Sequence, residues 1–146
     1  MKIQIYSRTA ATLVVVCSAL LCTLASASEV VVVAANSPVS AVTTDQLSQL
    51  FLGKVHTLPN GSSAVLIDQT EGSTARDDFY SKATGKSAAQ IKALWSRLTF
   101  SGAAQPPKSA SGDAEVKKFV STIPGAIGYI DKTAVDSSVK VVLTLD

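Results

Sequence analysis

The residues of this chain that could do chemistry crowd into one stretch, Asp68–Asp78, which reads Asp-Gln-Thr-Glu-Gly-Ser-Thr-Ala-Arg-Asp-Asp. Gly72-Ser73-Thr74 has the composition of a tight turn that hands over to a helix, with a hydroxyl placed to cap the first turn. Such an elbow aims free backbone N–H groups at one spot, where an anion can sit. Arg76, one turn further on, is the cation within reach. It either folds back over the elbow or, in the favoured reading, pairs at the surface with Asp77, Asp78 or Tyr80. Asp68 and Glu71 oppose an anion by like charge. Asp77 and Asp78 are neighbours on a helix, so their side chains diverge. They suit a solvated helix start better than paired acid–base work.

Other chemistries lack their residues. Ser73 follows Glu71-Gly72, but the Gly-x-Ser-x-Gly nucleophile pattern is missing and no histidine base is placed for it. His56 is the single histidine and stands in a loop around Pro59-Asn60-Gly61. A zinc site there would lack its usual partners. The residues therefore predict no catalytic site, no metal and no cofactor.

The elements that must position the elbow follow from the pattern. Ala64-Val65-Leu66-Ile67 is an apolar run of the kind buried on both faces of a strand. Residues 75–83 read as the helix after the elbow. Ahead of them, Glu29–Ala35 is a β-branched run without alternation and predicts a central strand, ended by the turn Asn36-Ser37-Pro38. Leu47, Leu50 and Phe51 recur at helical spacing over 46–52, with Gly53 at the stop. Ser87 caps a helix over 88–98 whose apolar stripe is Ile91, Leu94, Trp95 and Leu98. Residues 99–112 read as loop around Pro106-Pro107, and 113–122 as a helix burying Val116, Phe119 and Val120. Ala126–Ile130 predicts a short strand whose Gly128 admits a second backbone, and Val139–Leu145 the last strand. Trp95 and Phe100 are expected in the core. If either is exposed beside Pro106-Pro107, it marks a partner surface instead. The alternation of strands and helices predicts one three-layer α/β lobe with a mostly parallel or mixed sheet.

The first 27 residues read differently. Lys2 and Arg8 precede an apolar block over 10–24, and Ala25-Ser26-Ala27 supplies small residues at the −3 and −1 positions. That layout predicts a secretory signal peptide cut after Ala27 and a soluble product, residues 28–146, in the periplasm. Both cysteines, Cys17 and Cys22, lie in this leader. Its removal leaves 11 basic residues against 11 acidic ones. A neutral product gives no footprint for nucleic acid or an anionic membrane.

Three separated pieces carry a resemblance. They are Leu47–Lys54 with its Phe-Leu-Gly-Lys corner, Glu71-Gly72-Ser73 at the elbow, and the Pro-Gly-Ala-Ile-Gly-Tyr turn within Ile123–Ile130. In this order, after an initial apolar strand, they resemble the periplasmic phosphate-binding proteins (PstS-like) of ABC transporters, over essentially all of residues 30–142. Those proteins have two α/β lobes clamping a ligand, and this chain resembles the second lobe of such a type II binding protein standing alone. The resemblance implies phosphate or another small oxyanion held at Gly72, Ser73 and Thr74, with docking on an ABC permease. The Arg that the family carries just before the elbow is replaced here by Asp68 and Gln69. Arg76 is the candidate to compensate, and the Asn36-Ser37 turn is expected to converge on the same rim. Two copies facing each other would rebuild the cleft as a homodimer. The alternative reading is a ligand-free lobe acting as an interaction or sensory module for a membrane transporter or receptor.

Overall fold

The computed structural model describes residues 27–146. The signal peptide expected over residues 1–27, with Cys17 and Cys22, lies outside the described residues except for Ala27 itself.

The valine run forms the strand β1 (Glu29–Ala34), buried on both faces as its lack of alternation predicts. Thr43 caps α1 (Thr44–Phe51) through a reciprocal capping box with Gln46, and Leu47, Leu50 and Phe51 turn inward. The second strand, β2 (Val65–Gln69), runs into the elbow and then into α2 (Thr74–Thr84). Ser87 and Gln90 form a second capping box for α3 (Ala88–Phe100). A three-residue strand, β3 (Lys108–Ala110), follows, then α4 (Asp113–Thr122), β4 (Ala126–Asp131) and β5 (Val139–Leu145).

These strands make one mixed sheet in the order β3-β2-β4-β1-β5. β2 runs parallel to β3 and β4, whereas β1 is antiparallel to both of its neighbours. On one face Val31 and Val33 meet Leu47, Leu50 and Phe51 of α1, Phe79 and Tyr80 of α2, and Ile91 and Trp95 of α3. On the other, Val30, Val32, Ile67 and Ile130 meet Val116 and Val120 of α4. The result is the expected three-layer α/β lobe.

Four expectations need correction. β3 lies where a loop is expected; it is too short for a periodic signal and exists through its parallel ladder to β2. Gly128 admits side chains rather than a backbone: a Cβ there would lie 2.8 Å from Val116 Cγ1 and 3.2 Å from Ile67 Cβ. Phe119 is only partly buried against its core. Trp95 is in the core, its indole N–H donating to the Phe51 carbonyl at 3.2 Å, but Phe100 is 97% exposed. Phe100 is the last residue of α3, where the stripe has already turned away from the sheet.

Candidate functional site

The elbow is built as its residues predict. Gly72 takes φ +84°, and the space where its Cβ would be is open. The Ser73 N–H donates to the Thr70 carbonyl at 3.1 Å and closes the turn. Ser73 then caps α2: its Oγ accepts the Arg76 N–H at 3.3 Å, and its carbonyl accepts the Asp77 N–H at 3.1 Å. The N–H groups of Thr74 and Ala75, at the first two positions of the helix, are left without intrahelical acceptors. These two donors are what the elbow offers an anion.

Behind the elbow, Asp68 is the centre of a buried polar network. Its Oδ1 accepts the Tyr129 hydroxyl at 2.5 Å and the Gln69 N–H at 2.8 Å; its Oδ2 accepts the Tyr80 hydroxyl at 2.9 Å and Arg76 Nε at 3.0 Å. Four donors saturate a carboxylate that is itself 5% exposed. Burial and the adjacent Asp68 carboxylate push both phenols far up, so Tyr80 and Tyr129 stay neutral donors. Burial works against the Arg76 charge, but the attraction and hydrogen bond of Asp68 outweigh it and the net shift is upward. The guanidinium also lies over the Tyr80 ring, 5.0 Å from its centroid. Gln69 extends the network, its amide donating to Asp113 Oδ1 at 3.0 Å and to the Tyr129 carbonyl at 3.2 Å. Phe79 stacks on Tyr129 at 3.7 Å and holds the ring in place. One carboxylate thus ties β2, α2 and β4 together, with α4 joined through Gln69.

Several site expectations change. Arg76 makes no surface pair with Asp77 or Asp78: it is 8% exposed and committed to Asp68, with Tyr80 as its second neighbour. Asp68 faces inward and is neutralised there, so it does not confront the elbow as a free charge. Glu71 does stay at the surface, where Lys92 donates to it at 2.8 Å and holds it below its usual range. Asp77 is only half solvated; its Oδ1 is buried without a partner.

Gly72, Ser73 and Thr74 are together at the carboxyl end of β2. Asn36 and Ser37 are not with them. β1 runs against β2 and β4, with Val33 beside Ile127 and Glu29 beside Asp131, so its carboxyl end lies at the opposite edge of the lobe. There Asn36 and Ser37 line a separate groove with Pro124 and Gly125. The residue of β1 nearest the elbow is Glu29. His56 is exposed, and no group of three metal-ligating side chains is found among the described residues.

Sequence reasoning missed Tyr129, Gln69 and Glu29 as members of the elbow's surroundings. Tyr129 was within reach, since it closes the Gly-Tyr turn motif. Gln69 stands beside the elbow in sequence, but its bonds to Asp113 and the Tyr129 carbonyl carry no local signal; Glu29 is brought there by strand pairing alone.

No protein-family model matches the sequence, and no curated protein matches it. Solved structures do. A protein from Clostridium perfringens, described as a phosphate ABC transporter substrate-binding protein with bound phosphate, shares 24% identity at a TM-score of 0.64. The alignment covers 80% of this chain and 45% of that one. An ABC-type phosphate transport receptor from Vibrio cholerae shares 20% at a TM-score of 0.63, over 79% of this chain and 45% of its own. PstS from Borrelia burgdorferi shares 15% at 0.56, over 80% and 47%.

The fold is that of one lobe of a phosphate ABC transporter substrate-binding protein. The chain spans less than half the length of these PstS-like structures. What a second lobe would supply to a clamp is therefore not present in the described residues. Among the described residues no helix is long and apolar enough to cross a membrane.

Proposed function

We propose that this protein is an exported solute-binding lobe that takes phosphate or another small oxyanion at Gly72-Ser73-Thr74. The observation that carries the reading is the start of α2, where the Thr74 and Ala75 N–H groups have no intrahelical acceptor, reached through a glycine turn whose Gly72 Cβ position is open. The likeness to a structure solved with bound phosphate supports the choice of anion. The protein does no covalent chemistry, and its setting is the periplasm, after cleavage behind Ala27. There it serves an ABC permease.

Affinity is weak. Two backbone donors at a helix start contribute about 0.3–1 kcal/mol, up to about 2 in a favourable site. A phosphate dianion needs several charge-assisted donors to replace its water. Arg76 is held inside by Asp68 and supplies none at the elbow without giving up that pair. A second copy facing the first doubles the donors, so affinity rises with protein concentration.

A second reading has its own observation. Phe100, fully exposed, shares a groove of about 630 Å³ with Trp95, Pro106 and Pro107, close to Glu71 and Arg76. That groove fits a lobe acting as an interaction or sensory module for a membrane transporter or receptor. Calorimetric titration with phosphate and sulfate, at two protein concentrations, separates the readings. Binding that Ser73→Ala weakens, by loosening the cap that holds the turn and the first helical N–H groups, supports the oxyanion site. No heat with either anion at both concentrations retires it and leaves the interaction module.

A further inference from the structure

Glu29 opens β1 and is 2% exposed, and both of its carboxylate oxygens lack a partner among the described residues. It lines a cavity of about 380 Å³ with Ala27, Asp78, Asp113 and Asp131, beside the first turn of α2. Every element packed around it contributes charge: Lys82 and Asp78 from α2, Asp113 from α4, and Asp131 from the end of β4. Burial pushes the Glu29 carboxyl up to about 7; Lys82 pulls it back and the three aspartates push it further up. The single cation of the set bonds a backbone acceptor and not Glu29: Lys82 Nζ donates to the Ala27 carbonyl at 3.1 Å. A buried carboxylate with three acidic neighbours and no donor is an incomplete site. It asks for a cation, and no set of three ligands is arranged there for a metal ion.

We propose that this cavity is the seat of the protein's own α-ammonium group, created on Ser28 by cleavage of the Ala27–Ser28 bond. Water adds across the peptide bond under the export peptidase, Ala27 leaves with a carboxylate, and the amine of Ser28 takes up a proton. The inference rests on cleavage after Ala27, as proposed above. Two features hold the new charge in place. The Ser28 carbonyl accepts the Lys132 N–H at 2.9 Å, which pins residue 28 beside the end of β4. Loss of Ala27 also removes the acceptor of Lys82, which is then free to turn to Glu29 or Asp78. Processing therefore adds one cation to the cavity and releases a second.

The sign of the pH dependence follows. With Glu29 raised and no cation added, folding stability is greatest below the ordinary carboxylate range and is lost as pH rises through about 7. The ammonium favours the ionised carboxylate, so the processed chain loses little over that window.

The test is export of the full chain in a Gram-negative host, with the intact mass of the periplasmic product measured first. The pKa of its terminal amine is then read from pH-dependent acetylation of the amino-terminal peptide. A chain starting at Ser28 whose amine titrates about one unit above the ordinary 7.7–8.0 range, and is acetylated roughly tenfold more slowly at neutral pH, is the expected result. Glu29→Gln should return the amine most of the way, and Asp78→Asn part of the way. A mass that places the amino terminus elsewhere overturns the premise of cleavage. A Ser28 amine that titrates normally, or equally in wild type and both variants, overturns the cavity's role while leaving the cleavage intact.

Discussion

Asp68 and Arg76 show how a charged pair that could serve a ligand serves the fold instead. Each is almost wholly buried, and each supplies the compensation that makes the other's burial tolerable. Removing one partner leaves the other stranded. Asp68→Asn keeps the shape but strands the Arg76 guanidinium, whose Nη1 already lacks a partner. We expect it to cost about 3–5 kcal/mol in urea unfolding. Tyr129→Phe deletes one donor to Asp68 and one acceptor of the Gln69 N–H, and should cost about 1–2 kcal/mol. If Asp68→Asn cost no more than Tyr129→Phe, the pair would not be what holds the elbow to the sheet. Nothing in the spacing of Asp68 and Arg76 reveals their pairing. Residues on a strand end and in the first helical turn meet only if the intervening turn folds back, and the surface pairs with Asp77 and Asp78 are equally compatible with sequence distance.

Elements were more legible than contacts, for reasons that differ between helices and strands. The valine run, the two hydroxyl caps at Ser73 and Ser87 and the helix over 113–122 are each determined within a few residues, so local chemistry reads them well. Strand direction is not local. The turn Asn36-Ser37 looked like a neighbour of the elbow because a parallel β1 would end there; the antiparallel pairing sends it to the far edge and brings Glu29 instead. Gly128 belongs to this scale too. It looked like a gap for a backbone, but its hydrogen faces Val116 and Val120, so α4 sits closer to the sheet than a methyl group would permit. Gly128→Ala should therefore lift α4 and destabilise the lobe by about 1–3 kcal/mol, the usual cost of overpacking a filled core. Amide exchange measured segment by segment should show the loss of protection concentrated in α4 and β4. Uniform loss across the lobe would mean that the backbone, not the helix packing, resents the methyl.

At the scale of the molecule the decisive fact is that this lobe has the fold of one half of proteins of whose length the chain spans less than half. Within such a protein, surfaces that meet the other half are covered; here the described residues leave one conspicuous apolar side chain uncovered. Phe100 stands at the end of α3, next to Pro106 and Pro107, on the same groove that reaches Glu71 and Arg76. Because it packs on little of its own chain, Phe100→Ser should leave folding stability within about 0.5 kcal/mol of wild type. Its effect should appear between molecules. We expect the wild-type protein to sediment faster as concentration rises, and Phe100→Ser to stay monomeric over the same range. If association brings two elbows into one cleft, phosphate should favour the faster species, and Ser73→Ala should remove that dependence without removing association. If Phe100→Ser associates like wild type, the paired lobe does not use this groove. A wild-type chain that stays monomeric, with or without phosphate, leaves the groove to a heterologous partner and ends the case for a cleft rebuilt from two copies.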